Sequence, residues 1–72
     1  MDWTVRVRLT EASGSVIATA TLVDEDDGTL SATGQFRPVG TGPASPAHYE
    51  MAAARALQRL SDALISAATR SR

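Results

Sequence analysis

The chain has 72 residues, a formal net charge of −1 and no cysteine. A chain of this length buries only about 60% of the surface that its unfolded form exposes, so it forms at most one small domain with a thin core. The composition excludes disulfides and cysteine-based zinc sites, and the single His48 cannot by itself supply the ligands of a metal ion. With 7 basic and 8 acidic side chains, the chain as a whole has no net positive charge that would attract a polyanion.

The first segment alternates in the manner of a half-buried strand. From Trp3 to Thr10 the odd positions hold Trp, Val, Val and Leu, whereas the even positions hold Thr and Arg. Side chains of a strand point alternately to its two faces, so the pattern predicts a strand over residues 3–10 with four apolar residues on one face. A turn is predicted over Glu11–Gly14.

The second segment, residues 15–23, alternates less clearly. Its even positions hold Val, Ala, Ala and Leu, and its odd positions hold Ile17, Thr19, Thr21 and Val23. We predict that the even positions face inward because they carry no hydroxyl groups. The aliphatic residues of the odd set leave open a one-residue slip or a bulge, which would exchange the two faces.

A third strand is predicted over residues 29–37, after an acidic turn at 24–28 that ends in Asp-Gly. Leu30, Ala32, Gly34 and Phe36 alternate there with polar residues, and Pro38 ends the ladder because it has no N–H to donate. Short turns between all three strands predict an antiparallel meander in the order 1-2-3.

A helix is predicted over residues 46–68, after a loop rich in Gly and Pro. Ser45 is suited to the N-cap and Pro46 to the first helical position, and no Gly or Pro interrupts the segment that follows. We expect residues 69–72 to fray. The predicted core combines the apolar residues of the strands and of one helix face, namely Trp3, Val5, Val7, Leu9, Leu22, Leu30, Phe36, Tyr49, Leu57, Leu60 and Leu64.

These elements predict a single α+β domain over residues 1–72, in which one C-terminal helix packs on one face of a three-stranded antiparallel meander. A β-β-β-α chain that opens with Trp-Thr-Val and carries Glu50-Met51-Ala52-Ala53-Ala54-Arg55-Ala56-Leu57 in its helix resembles a family of short actinobacterial proteins of unknown function. The resemblance extends over nearly the whole chain and implies a fold like that of double-stranded-RNA-binding domains. It implies no activity.

Several residue groups suggest chemistry, but a structural role explains each of them more simply. The acidic turn at 24–27 lacks the spread of ligands that a calcium loop needs, so we interpret it as a solvated hairpin tip. Ser45 and His48 lack a third group that would orient the imidazole as a base. The Gly40-Thr41-Gly42 loop lacks the Gly-Lys-Ser/Thr ending of a phosphate loop. We therefore expect no enzyme activity, no cofactor and no metal.

One helix covers only one face of the sheet, so the other face and the two edge strands are the predicted interaction surfaces. We expect a protein partner there, and a second copy of the chain in particular, because a thin core favours self-association. The interaction residues predicted on the outer face are Thr4, Arg6, Arg8, Ile17, Thr19, Thr21 and Val23.

The alternative is weak binding of RNA or another nucleic acid through surface arginines, chiefly Arg37, Arg55 and Arg59. It is disfavoured because double-stranded-RNA binders place lysines at the start of their last helix, whereas the start of the predicted helix here, at 46–50, carries no fixed positive charge. No apolar run approaches the roughly 20 residues that span a bilayer, and the start of the sequence lacks a secretion signal. We expect a cytoplasmic protein that does not bind membranes.

Overall fold

The computed structural model describes residues 2–24, 28–38 and 42–70. Three strands, β1 (Thr4–Ala12), β2 (Ser15–Asp24) and β3 (Gly28–Phe36), precede a single helix, α1 (Pro46–Arg70). The strands form one antiparallel sheet in the order β1-β2-β3. The predicted α+β class and meander order are confirmed.

The element bounds differ from the predicted ones by one or two residues. β1 continues through Glu11 and Ala12, which were predicted to belong to the turn, and the turn itself is only Ser13-Gly14. Both turn residues have positive φ, 51° and 79°, as a two-residue hairpin turn of type I′ requires. The helix reaches Arg70 in the segment expected to fray, and residues 71–72 lie outside the described part of the chain.

The register of the sheet confirms which face of β2 points inward. Ala18 pairs with Leu9 on one side and Gly34 on the other, and Ala20 pairs with Val7 and Ala32. All four even-numbered positions from 16 to 22 are buried, and neither a slip nor a bulge interrupts the pairing. The tip of the second hairpin, residues 25–27, lies outside the described residues.

Small residues bring α1 into close contact with β2 and β3. Ala18, Ala20, Ala52 and Ala56 are fully buried between the helix and the sheet. A Cβ built on Gly34 would lie only 2.3 Å from the backbone nitrogen of Ala56, so the helix backbone rests directly against this glycine. The helix consequently lies over β2 and β3 and touches β1 at few points.

The offset of the helix leaves much of the predicted core exposed. Leu22 and Leu60 are buried, and Val7, Leu30, Phe36, Tyr49 and Leu64 pack against the core as predicted. By contrast, the predicted core residues Trp3, Val5, Leu9 and Leu57 are 41–50% exposed, so their placement in the core was wrong. The physical reason is that α1 packs where the small side chains allow the closest approach, which is away from β1.

Two hydrogen bonds join Ser45 to His48 at the N-terminus of α1, and both use backbone atoms of Ser45 and not its hydroxyl group. The N–H of His48 donates to the carbonyl oxygen of Ser45 at 2.9 Å, and the N–H of Ser45 donates to Nδ1 of His48 at 3.0 Å. In a capping box a Glu or Gln at the third helical position accepts the second bond. Here a histidine takes that position, and its ring lies 5.5 Å from the ring of Phe36 on β3.

Candidate association surfaces

The exposed apolar residues on the core side of β1 form the first candidate surface. Val7 packs against the core, so Val5 and Leu9, two positions before and after it, lie on the same face of the sheet. Trp3 continues the alternation one step before the strand. We call Trp3, Val5 and Leu9 the β1 apolar strip.

Leu57 lies on the flank of α1 that faces this strip. Residues on a helix are about 100° apart, so Arg55 and Leu57 lie on opposite flanks of the face that Ala56 buries. Arg55 reaches β3, whereas Tyr49, which lies about 20° from Ala56 toward Leu57, donates a hydrogen bond to Glu11 of β1. Leu57 therefore borders the open half of the sheet, next to the β1 apolar strip.

The backbone of β1 presents a free edge beside the strip. In a two-residue hairpin the residues that flank the turn form a hydrogen-bonded pair, here Ala12 and Ser15, and such pairs alternate along the ladder. The even-numbered residues of β1 therefore bond to β2. The N–H and C=O groups of its odd-numbered residues from 5 to 11 point away from the sheet, and we call them the free β1 edge.

The opposite edge of the sheet is occupied by two arginines of the helix. Arg55 Nη1 donates to the carbonyl oxygen of Gln35 at 2.7 Å, and Arg59 Nη1 donates to that of Thr33 at 2.8 Å. The guanidinium of Arg55 also lies 5.1 Å from the ring centroid of Phe36. The sequence did not reveal this role, because it arises only once the helix lies over β3.

The outer face of the sheet brings together the predicted interaction residues. Arg6 lies opposite Thr21, and Arg8 lies opposite Thr19. These four residues and Val23 line an open depression of about 360 Å³, and Thr4 and Ile17 extend the same face. Neither guanidinium has a hydrogen-bond or ion-pair partner among the residues that the structure describes.

Of the three arginines of the alternative nucleic-acid prediction, Arg37 shares the outer face of the sheet with Arg6 and Arg8, whereas Arg55 and Arg59 lie at the β3 edge. Arg37 Nε donates to Ser15 Oγ at 3.2 Å, and Arg55 and Arg59 bond to β3 as described above. Each of them already donates a hydrogen bond within the chain. A ligand would therefore meet guanidinium groups that are partly engaged.

The Ser45–His48 pair is not arranged as a nucleophile and base. The Nδ1 atom of His48 accepts the N–H of Ser45, so this lone pair is not free to take a proton from a hydroxyl group. The acidic tip at 25–27 and the loop at 39–41 lie outside the described residues. Within the described ranges no group of three or more acidic, histidine or cysteine side chains is placed to hold a metal ion, and α1 is not apolar enough to cross a membrane.

Comparison with known proteins identifies one family. No curated protein and no solved structure is significantly similar to the chain. The family model described as Rv2632c-like matches residues 1–71, which is almost the entire sequence. This match confirms the predicted membership of a small family of unknown function, while the likeness to double-stranded-RNA-binding domains stays a prediction. The chain belongs to the Rv2632c-like family.

Proposed function

We propose that the chain is a cytoplasmic, non-enzymatic self-association module in which two copies pair through β1. The observation that carries the proposal is the distribution of large apolar side chains in the described residues. Only Val16, Leu22 and Leu60 are buried, and the other buried apolar residues are alanines. Seven large apolar residues are exposed, namely Trp3, Val5, Leu9, Val23, Met51, Leu57 and Ile65.

The exposed area supports the same proposal. The chain exposes 5468 Å², whereas a compact monomer of its 7.5 kDa mass exposes about 4,250 Å². The excess of roughly 1,200 Å² exceeds the area of about 800 Å² that each partner buries in a standard interface. A second copy seated on the open half of the sheet would remove much of this excess from water.

The free β1 edge fits a second copy of itself. If two β1 strands pair antiparallel about Val7, then Val5 of one copy lies opposite Leu9 of the other, and the outward N–H and C=O groups of both residues are satisfied. Both helices then lie on one face of a six-stranded sheet. The two β1 apolar strips meet between the helices, with Leu57 of each copy beside them. Such a contact is self-complementary, as a two-fold dimer requires.

Sedimentation of two matched helix variants tests the proposal. Wild-type mass should rise from one chain toward two as concentration increases. Leu57→Glu places a charge beside the β1 apolar strip and should keep the mass at one chain. Ile65→Glu adds the same charge at a position that is 62% exposed on the outward face of the helix, and it should behave like the wild type. Circular dichroism confirms that both variants are folded.

Three outcomes would count against this proposal. Wild-type mass equal to one chain at every concentration, in phosphate as well as in chloride, would exclude self-association. Equal loss of association in Leu57→Glu and Ile65→Glu would move the contact to the outward face of the helix. Retention of the wild-type chain on RNA that disappears steeply with salt would instead favour the nucleic-acid alternative.

A further inference from the structure

Pairing of two β1 edges gathers four guanidinium groups on the outer face of the sheet. In the arrangement centred on Val7, Arg6 of one copy lies directly opposite Arg8 of the other, and the reverse pair follows by symmetry. Like charges directly opposite each other on neighbouring strands destabilise the pairing. Centring the pair on Arg6 or on Arg8 sets that arginine opposite its own copy. Centring it on Val5 avoids the clash, because Arg8 then lies opposite Asp2, but it leaves Leu9 outside the paired part of β1.

No carboxylate of β1 relieves this repulsion. The only acidic residue of the strand is Glu11, an odd-numbered position whose side chain lies on the helix side of the sheet, opposite to the arginines. There it accepts a hydrogen bond from the hydroxyl group of Tyr49. Arginines on an exposed edge strand ordinarily prevent edge-to-edge pairing for this reason. A β1 dimer centred on Val7 is therefore favoured by negative charge from outside the chain.

The outer depression has the composition of an oxyanion site. Arg6 and Arg8 are two residues apart on one strand, so their Cα atoms are separated by about 7 Å. Thr21 and Thr19 lie opposite them on β2. The hydroxyl group of Thr21 shares a hydrogen bond of 3.1 Å with that of Ser31 on β3, whereas the hydroxyl group of Thr19 has no partner among the described residues. Guanidinium groups bind phosphate-type oxyanions through two parallel N–H bonds, and threonine hydroxyls add further donors.

We infer that Arg6, Arg8, Thr19 and Thr21 bind a multivalent oxyanion of the phosphate or sulfate class, and that the bound anion permits two β1 edges to pair. The inference rests on the proposed self-association. In the dimer the two depressions lie side by side across the two-fold axis, so each anion is within reach of arginines from both copies. The chain would then associate more tightly where such anions are present.

Sedimentation in phosphate and in chloride at matched ionic strength tests the inference. The dimer dissociation constant of the wild type should fall about tenfold in phosphate, the factor expected when two like-charged pairs are relieved. Arg6→Gln/Arg8→Gln removes both the repulsion and the site. It should dimerise as tightly in chloride as the wild type does in phosphate, with no difference between the salts.

The double variant also separates specific binding from a general salt effect. Phosphate and sulfate strengthen apolar burial without any binding site. An equal response to phosphate in the wild type and the double variant would therefore overturn the inference. A wild type that dimerises equally well in both salts would also overturn it, and would leave the proposed self-association intact.

A monomeric variant tests the anion site without the dimer. Val5→Pro removes one outward N–H from the free β1 edge, a position where proline is tolerated because no partner within the chain uses that N–H. Titration of this variant with inorganic phosphate should shift the amide and side-chain resonances of Arg6, Arg8, Thr19 and Thr21. Those of Met51 and Ile65 on the outward face of α1 should stay unchanged. Uniform small shifts, or none, would contradict the site.

Discussion

The two edges of the sheet are built differently. At β3 the helix lies overhead and sends Arg55 and Arg59 to the carbonyl oxygens of Gln35 and Thr33. At β1 the helix makes few contacts, and the backbone groups of the odd-numbered residues face outward beside exposed Val5 and Leu9. One helix protects one edge and leaves the other free.

The cause of this asymmetry is the distribution of small side chains. Gly34 and the alanines of β2 permit the helix backbone to approach one half of the sheet, whereas the larger side chains of β1 do not. Natural sheets protect exposed edges because an unprotected edge pairs with other chains. The proposed self-association would therefore use the β1 edge and stop at a dimer.

The largest expected effect is that of Gly34→Ala. The added Cβ would lie within 3 Å of three backbone atoms of the helix, at Ala52, Arg55 and Ala56, so the helix must move off β3. We expect a loss of roughly 3 kcal/mol in the free energy of unfolding, measured by chemical denaturation. Thr33→Ala, on the exposed face of the same strand, should change it by less than about 0.5 kcal/mol. Wild-type stability in Gly34→Ala would contradict the close packing.

Removal of the two helix arginines should turn the protected edge into a second pairing edge. Arg55→Ala/Arg59→Ala loses two hydrogen bonds to β3 carbonyl groups, each contributing about 1 kcal/mol at this exposed position. Because both edges could then pair, light scattering should detect species larger than dimers. Arg70→Ala removes a positive charge from the same helix and serves as the control. A double variant that stops at the wild-type mass would show that β3 needs no protection.

Substitutions of His48, where the start of α1 meets β3, should have a smaller effect on stability. His48→Ala removes the acceptor for the N–H of Ser45 and the ring contact with Phe36, so we expect a loss of about 1 kcal/mol. His48→Gln keeps an acceptor at the position where capping boxes place Gln, and it should lose less. Equal losses in thermal denaturation would mean that the ring contact, and not the cap, stabilises the helix start.

The smallest expected effect lies on the β1 side. Tyr49→Phe removes the hydrogen bond to Glu11, which joins α1 to the C-terminal end of β1. Because the bond is exposed, its loss should cost only a few tenths of a kcal/mol in unfolding by denaturant. A loss as large as that of His48→Ala would mean that the helix is held to β1 more firmly than its few contacts indicate.

The sequence was sufficient to predict the strands, their order and the inward face of β2, because alternation and turn chemistry are local properties. It did not predict where the helix lies across the sheet, and for this reason Trp3, Val5, Leu9 and Leu57 were placed in the core. A signal was present, since Gly34 and the alanines of β2 and β3 mark the line of closest approach. The roles of Arg55 and Arg59 depend on that placement and could not be predicted from spacing alone.

Amide hydrogen exchange at increasing protein concentration, in phosphate buffer, tests the pairing of β1 most directly. If two copies pair along the free β1 edge, the amides of Val5, Val7 and Leu9 should exchange more slowly as concentration rises. Those of Thr29 and Ser31 on the β3 edge should exchange at a constant rate. Exchange of Val5, Val7 and Leu9 that does not depend on concentration, or protection that increases on β3 instead, would contradict association through β1.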